Sequence, residues 1–205
     1  MYVNLFIPSV LNWKEKAFTI RQETNYPNDG KTTLSIQTNA AVSMPVYIRY
    51  PSWAVSGAVV RVNGKNFKVL QKSGSYIAID RKWKNNDKIV INYPMTLRLV
   101  PSDNDTISAI AYGPIVLAGV MGTTGMEKPA PFSNPKLYND YYTYDYHVPA
   151  DFVHQLKLDK KNLTNSIKTV VGAQKLTFKT IKEGITLQPL YSIHHQRYVI
   201  YWDLR

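Results

Sequence analysis

Apolar and polar residues alternate with a period of two along most of this chain, the pattern of strands that bury one face and show the other to solvent. The alternation runs through YVNLFIPS at 2–9, AFTIRQE at 17–23, TTLSIQT at 32–38, PVYIRY at 45–50 and VVRVNG at 59–64. It continues through NFKVLQ at 66–71, SYIAIDR at 75–81, DKIVINY at 87–93 and TLRLV at 96–100. Each run is bounded by Gly, Pro, Asn or Asp, and strands about ten residues apart with turn residues between them predict a β-sandwich. Asn63-Gly64 is the sharpest turn signal. A type I′ turn needs positive φ at both central residues, which Asn-Gly tolerates best, so this pair is expected at a hairpin tip.

The polar stretch SDNDT after Pro101 interrupts the pattern and places a boundary between a first module at 1–105 and a second at 106–205. The run ISAIAYGPIVLAGV at 107–120 is too continuously apolar to have a solvent face and is expected to be buried. Residues 121–149 lack periodicity and are rich in Pro, Gly, Asn and Tyr, which predicts a long ordered loop. Strands resume at HQLKLD (154–159), KLTFKT (175–180), GITLQPLYSI (184–193) and RYVIYWDL (197–204), and only NLTNSIKTV at 162–170 has room for a short helix. The fold class predicted is all-β, with two small antiparallel β-sandwich modules, jelly-roll or Ig-like, in tandem.

A chain of 205 residues buries a sizeable core without staples, and it has none: the absence of cysteine excludes disulfides, thiolate metal sites and a cysteine nucleophile. With 44% apolar and 19% charged residues the composition is that of a folded domain, and 15 tyrosines favour strands and aromatic surface. The net charge of +11 would suit a nucleic-acid or acidic-polysaccharide binder. Its even spread weighs against nucleic acid: the densest cluster, Arg81, Lys82 and Lys84, is flanked by Asp80 and Asp87. No apolar run approaches the ~20 residues of a membrane span. The opening MYVNLFIPSVLNW has no basic n-region or small-residue cleavage site and reads as a strand.

Candidate chemistry is sparse. Carboxylates such as Asp29, Asp80, Asp87, Asp103 and Asp105 fall in turns, where a turn-forming role explains them, and Glu23, alone inside a well-patterned strand, reads as solvent-facing. The histidines His147, His154, His194 and His195 do not have metal-ligand spacing; adjacent His194 and His195 would point to opposite faces of a strand, and no metal or other cofactor is expected. No Gly-x-Ser-x-Gly elbow, P-loop or GxGxxG occurs. Gly74, Gly113, Gly119 and Gly122 sit where turns or close packing would use them. The positive signal is the tyrosine-rich stretch: Tyr141, Tyr142, Tyr144 and Tyr146, with Tyr138, offer ring faces for sugars, or else they pin a long loop to the sheet.

Six strings taken together resemble the C-terminal β-region of bacterial glycoside hydrolases of family 127 and the similar family 146, the β-L-arabinofuranosidases. They are YVNLFIPS with LNWKEK, IRYPSW at 48–53, VNGK at 62–65, YIAIDRKWKNNDKI at 76–89, YGPIVLAG at 112–119 and YSIHHQRYVIYW at 191–202, in that family's order and across nearly the whole chain. The resemblance implies that catalysis belongs elsewhere: that family's reaction is carried by an N-terminal (α/α)6 barrel with a zinc-bound cysteine nucleophile and a glutamate acid/base, and no catalytic residue transfers to any position here. What it implies for this chain is a non-catalytic pair of sandwiches that supports such a barrel in plant-type glycan degradation, with the initial strands and Trp13 facing the barrel and forming an apolar patch that could drive self-association. It leaves room for the final strand, around 192–205, to return to the first sandwich rather than complete the second. The parent family admits a periplasmic or secreted location. The rival readings are a stand-alone carbohydrate-binding module and, more weakly, a basic surface for nucleic acid or acidic polysaccharide.

Overall fold

The computed structural model describes residues 1–104, 106–123, 154–172, 176–194 and 196–204. The chain forms two units, Met1–Leu97 with Tyr112–Ile115, and Arg98–Ala111 with Val116–Arg205. Among the described residues the structure is β-strand joined by turns and three short 3-10 turns, as the period-two pattern predicts for an all-β, two-module chain.

The first unit packs two sheets. One holds β1 (Tyr2–Val3), β5 (Val42–Tyr50) and β8 (Ser75–Trp83); the other runs β2 (Ser9–Trp13), β3 (Phe18–Thr24), β4 (Lys31–Thr38), β9 (Lys88–Asn92), β6 (Val59–Val62) and β7 (Lys65–Phe67). All pairings are antiparallel except β1 with β5. Alternate residues enter one shared core: Phe18 and Ile20, Leu34 and Ile36, Val46 and Ile48, Ile77 and Ile79, Ile89 and Ile91. Each such side chain contributes roughly 1.5–3 kcal/mol through removal from water, so the alternation itself holds the two sheets face to face. Trp83 closes one end of the core, fully buried, and its Nε1 donates to the Met44 carbonyl at 2.9 Å.

The expected hairpin tip is present. Asn63 (φ 51°) and Gly64 (φ 79°) link β6 and β7. The Asn63 side chain ties this tip to the β8–β9 turn: its Nδ2 donates to Asp87 Oδ1 at 2.7 Å and its Oδ1 accepts from the Lys88 N–H at 2.8 Å. Asp87 Oδ2 accepts from the Lys84 N–H and pairs with Arg81 at 3.4 Å. Burial would raise the Asp87 carboxyl, but the bonds from Lys84 and Asn63 and the charges of Arg81 and Lys84 outweigh it and hold the group below its ordinary value.

Two sequence-predicted strands are shorter in the structure. Residues 2–9 do not form one strand, because the chain leaves one sheet after Val3 and enters the other at Ser9. The run at 66–71 pairs only as far as Phe67, since its partner β6 is four residues long.

In the second unit, β10 (Leu97–Pro101), β11 (Ile107–Tyr112), β12 (Ile115–Gly122), β15 (Thr186–Pro189), β14 (Phe178–Thr180) and β13 (Ile167–Thr169) are neighbours in that order, with β16 (Arg197–Val199) on β12 and β17 (Tyr201–Asp203) on β11. The apolar run 107–120 forms the buried β11–β12 hairpin, as expected. The final strands β16 and β17 pair antiparallel with β12 and β11 rather than with strands of the first sandwich. The reason is local packing. Trp202 is fully buried over Gly119, where a Cβ would come within 2.5 Å of the indole ring, so only glycine leaves room for it.

Residues 154–159 make a single bridge, Gln155 with Asp203, in place of a strand. The candidate helix at 162–170 is one 3-10 turn, Leu163–Asn165, followed by β13; the Asn162 side chain caps it by accepting from the Thr164 N–H. The run at 184–193 shortens to β15 and a 3-10 turn, Leu190–Ser192, and 197–204 breaks at Ile200 into β16 and β17.

Candidate functional site

The feature that stands out in the first unit is its opening segment. Phe6 turns inward and packs against Tyr26 and Tyr93 at ring distances of 5.4 and 5.6 Å, which fixes the crossover between β1 and β2. Its neighbours then point outward: Leu5 is 63% exposed and Ile7 56%. The crossover is also held from within the sheet. Gln22 lies in the inward series Phe18, Ile20, Gln22 of β3, and its Nε2 donates to the carbonyls of Leu5 at 2.8 Å and Ile7 at 2.6 Å. A buried amide that satisfies two carbonyls keeps the loop backbone from needing water there.

On the edge strand β2, Val10 is 52% exposed on the outer face beside Arg21, and Leu11, beside Ile20 on the inner side, is 48% exposed. Tyr2 adds an exposed ring that stacks on Tyr47 at 4.7 Å and meets Tyr76 edge-on at 5.3 Å. Between β1 and β2 lies a cleft of about 150 Å³ with Val3, Leu11, Ile20 and Leu34 in its walls and Gln22 among its polar groups. The result is a fixed apolar edge: five large side chains held out of the core within the first eleven residues. Trp13 is not part of it. It is half-buried against the core, with Lys16 Nζ 4.9 Å from its ring.

Behind this edge the phenol of Tyr93 is locked as a donor. Its hydroxyl reaches the Arg49 carbonyl at 2.6 Å, and burial, aided by Tyr50 and Tyr26, pushes its ionisation above the usual range. Nothing in this arrangement poises a proton for transfer, since Tyr93 stays neutral and its hydrogen is already committed to the carbonyl.

The tyrosines read from the sequence as sugar contacts, Tyr141, Tyr142, Tyr144 and Tyr146, lie outside the described residues, as do His147 and His195. His154 sits beside Trp202 at a ring distance of 6.1 Å. Among the described residues no three His, Asp or Glu side chains gather into a group that could hold a metal ion. Glu23 is exposed, as the alternation predicts. Sequence reading missed Gln22, although its place at the end of the inward series 18, 20, 22 marked it as a polar group inside a strand's buried face.

The fold defines a two-module, all-β protein whose first module exposes large apolar side chains along its opening segment. Residues 1–95 match the family model described as Beta-L-arabinofuranosidase, GH127 middle domain, and residues 98–204 match DUF4986, a domain of unknown function. The second match spans more than half of the 205 residues, so the chain belongs to the DUF4986 family, and the match over 1–95 bears out the family 127 resemblance read from the sequence strings.

Among solved structures, a GH127 β-L-arabinofuranosidase from Geobacillus stearothermophilus T6 aligns with 100% of this chain at 18% identity and a TM-score of 0.64. A second GH127 β-arabinofuranosidase aligns over 100% of the chain at 19% identity, also with a TM-score of 0.64. The chain covers 33% and 34% of these two proteins, about a third of each. At such identities the likeness shows a shared fold. Comparison with curated proteins gives no match.

Proposed function

We propose that this chain is a non-catalytic accessory β-sandwich region of a β-L-arabinofuranosidase-like glycoside hydrolase and that it supports a helical catalytic domain in the breakdown of plant-type glycans. The observation that carries this reading is the apolar edge formed by Tyr2, Leu5, Ile7, Val10 and Leu11. Large apolar side chains exposed together in one short segment mark a protein contact site, and here the Gln22 bonds and the Phe6 anchor hold the crossover in place before any partner arrives. The similarity to β-L-arabinofuranosidases about three times as long supports a role inside a larger enzyme.

The test is sedimentation velocity of the 205-residue chain mixed with a GH127 catalytic domain expressed without its own β-region. A stoichiometric complex is expected, with affinity lowered at least about tenfold in the Leu5→Ser, Ile7→Ser variant, because fully burying a side chain such as Leu or Ile is worth about 1.5–3 kcal/mol and every 1.4 kcal/mol is tenfold in affinity. Independent sedimentation of the two proteins would contradict the proposal. Self-association of the free chain through the same edge should disappear in that variant.

A further inference from the structure

The solvent face of the six-stranded sheet is chemically unlike the apolar edge. Arg21 on β3, Ser35 on β4 and Lys88 on β9 are consecutive cross-strand partners, so the two cations stand in one row on the same face. Arg61 on β6 pairs with Val90, two residues along β9 from Lys88, and is a third cation on that face, set off the Arg21–Lys88 row. All three are exposed, and none makes a salt bridge among the described residues. Among the described residues the one carboxylate on the strands of this face is Glu23, at the β3 side. Neighbouring strands are about 4.8 Å apart and residues rise about 3.4 Å along a strand, so the backbones of Arg21 and Lys88, two strands apart, are separated by roughly 10 Å, and Arg61, one strand beyond and two residues along, is roughly 8 Å from Lys88. Around them the face carries Thr33, Ser35 and Val90, with Lys31 as a further exposed cation, and Asn66 accepts from Arg61 Nε at 3.2 Å.

We infer that this face binds a carboxylate-bearing polysaccharide, with Arg21, Lys88 and Arg61 as its cations. The argument is charge complementarity. A sheet face that carries three exposed cations without salt-bridge partners, roughly 8–10 Å apart and with hydroxyl side chains among them, matches a hydroxyl-rich polymer that bears regularly repeated carboxylates. The same face presents no aromatic side chain in its central strands, so it lacks the stacking platform by which proteins hold single-stranded nucleic acid. This inference deepens the reading of the chain as part of a glycan-degrading enzyme by naming an acidic class of polymer. Of the apolar edge only Val10, the cross-strand partner of Arg21, stands on this face, whereas Leu5 and Ile7 lie on the β1–β2 crossover, so the complex formed with a catalytic domain can fail while polymer binding survives, and the reverse.

Affinity electrophoresis of the 205-residue chain through gels containing polygalacturonate, neutral arabinan or single-stranded DNA tests it. Retention by polygalacturonate is expected, falling about tenfold in the combined Arg21→Gln, Lys88→Gln, Arg61→Gln variant and losing most of its salt dependence, since each ionic contact contributes a counterion to the slope. A control with the same change in net charge, Lys68→Gln, Lys72→Gln, Lys157→Gln, should keep most of the retention. Glu23→Gln, a surface change that leaves the core intact, should strengthen it. Equal losses in the two triple variants, retention by DNA at or above that by polygalacturonate, or no retention at low salt would each overturn the inference.

Discussion

The two modules of this chain are built from the same kind of strand but are specified in different ways. In the first, β5 and β8 pair without interruption through nine positions, from Val42 with Trp83 to Tyr50 with Ser75, and β3 with β4 through seven. Long strands with one buried face fix their own register, because a slip of one residue would turn every core side chain outward. In the second, β13, β14, β16 and β17 are three residues each. Strands that short cannot set register by repetition. Their positions depend on single fitted contacts such as Trp202 over Gly119 and the Asn162 cap. The difference teaches that the first module's stability is distributed over many similar side chains, whereas the second's is concentrated in a few dissimilar ones.

The largest effect expected comes from the end of the distributed core. Trp83→Ala removes the largest buried side chain and orphans the Met44 carbonyl, and it should lower the unfolding free energy of the first module by about 3–5 kcal/mol in a denaturant titration. If stability is as distributed as the register implies, Ile36→Val in the same core should cost only about 0.5–1.5 kcal/mol. Gly119→Val should strike the second module harder than any change of similar volume in the first. The added carbons have no space beside the Trp202 ring, and a loss of at least about 1–3 kcal/mol is expected, read by near-ultraviolet circular dichroism as the indole leaves its site.

Asp87→Asn tests the one place where the first module also relies on a singular contact. The Asp87 carboxyl titrates lower in the folded chain than unfolded, so its stabilisation is complete above the unfolded value near 3.9 and is lost as pH falls through the lower folded value. The variant should be less stable by about 1–2 kcal/mol at neutral pH, and the gap from the parent should close on acidification below about pH 4 in urea titrations at matched pH. The smallest effect is assigned to Asn162→Ala, which removes one cap from a single 3-10 turn and should cost about 1 kcal/mol, visible as faster amide exchange at Thr164.

The contrast also explains which parts of the fold could be read beforehand. Alternation identified β3, β4, β5, β8 and β9 because each has an inward face with two or more buried apolar residues and a partner long enough to use it. The Asn63-Gly64 tip was legible because its chemistry is local. HQLKLD at 154–159 shows the same period but forms one bridge, since period-two patterning states only that a segment has two faces, not that a neighbouring strand will pair along it. The break at Ile200 follows from two different partners, β12 and β11, which no local pattern announces. At the candidate site, the apolar edge was foreseen from the initial strands, but Trp13 was assigned to it and instead packs on the core, and the part played by Gln22 depends on a crossover that the reading of 2–9 as one strand concealed.

The account rests on the chain being scaffold rather than catalyst, and the most direct measurement is turnover of an aryl β-L-arabinofuranoside by the purified 205-residue chain. It predicts release of the aryl group at the buffer rate at every enzyme concentration. Release that rises in proportion to the chain and persists through repurification would contradict it.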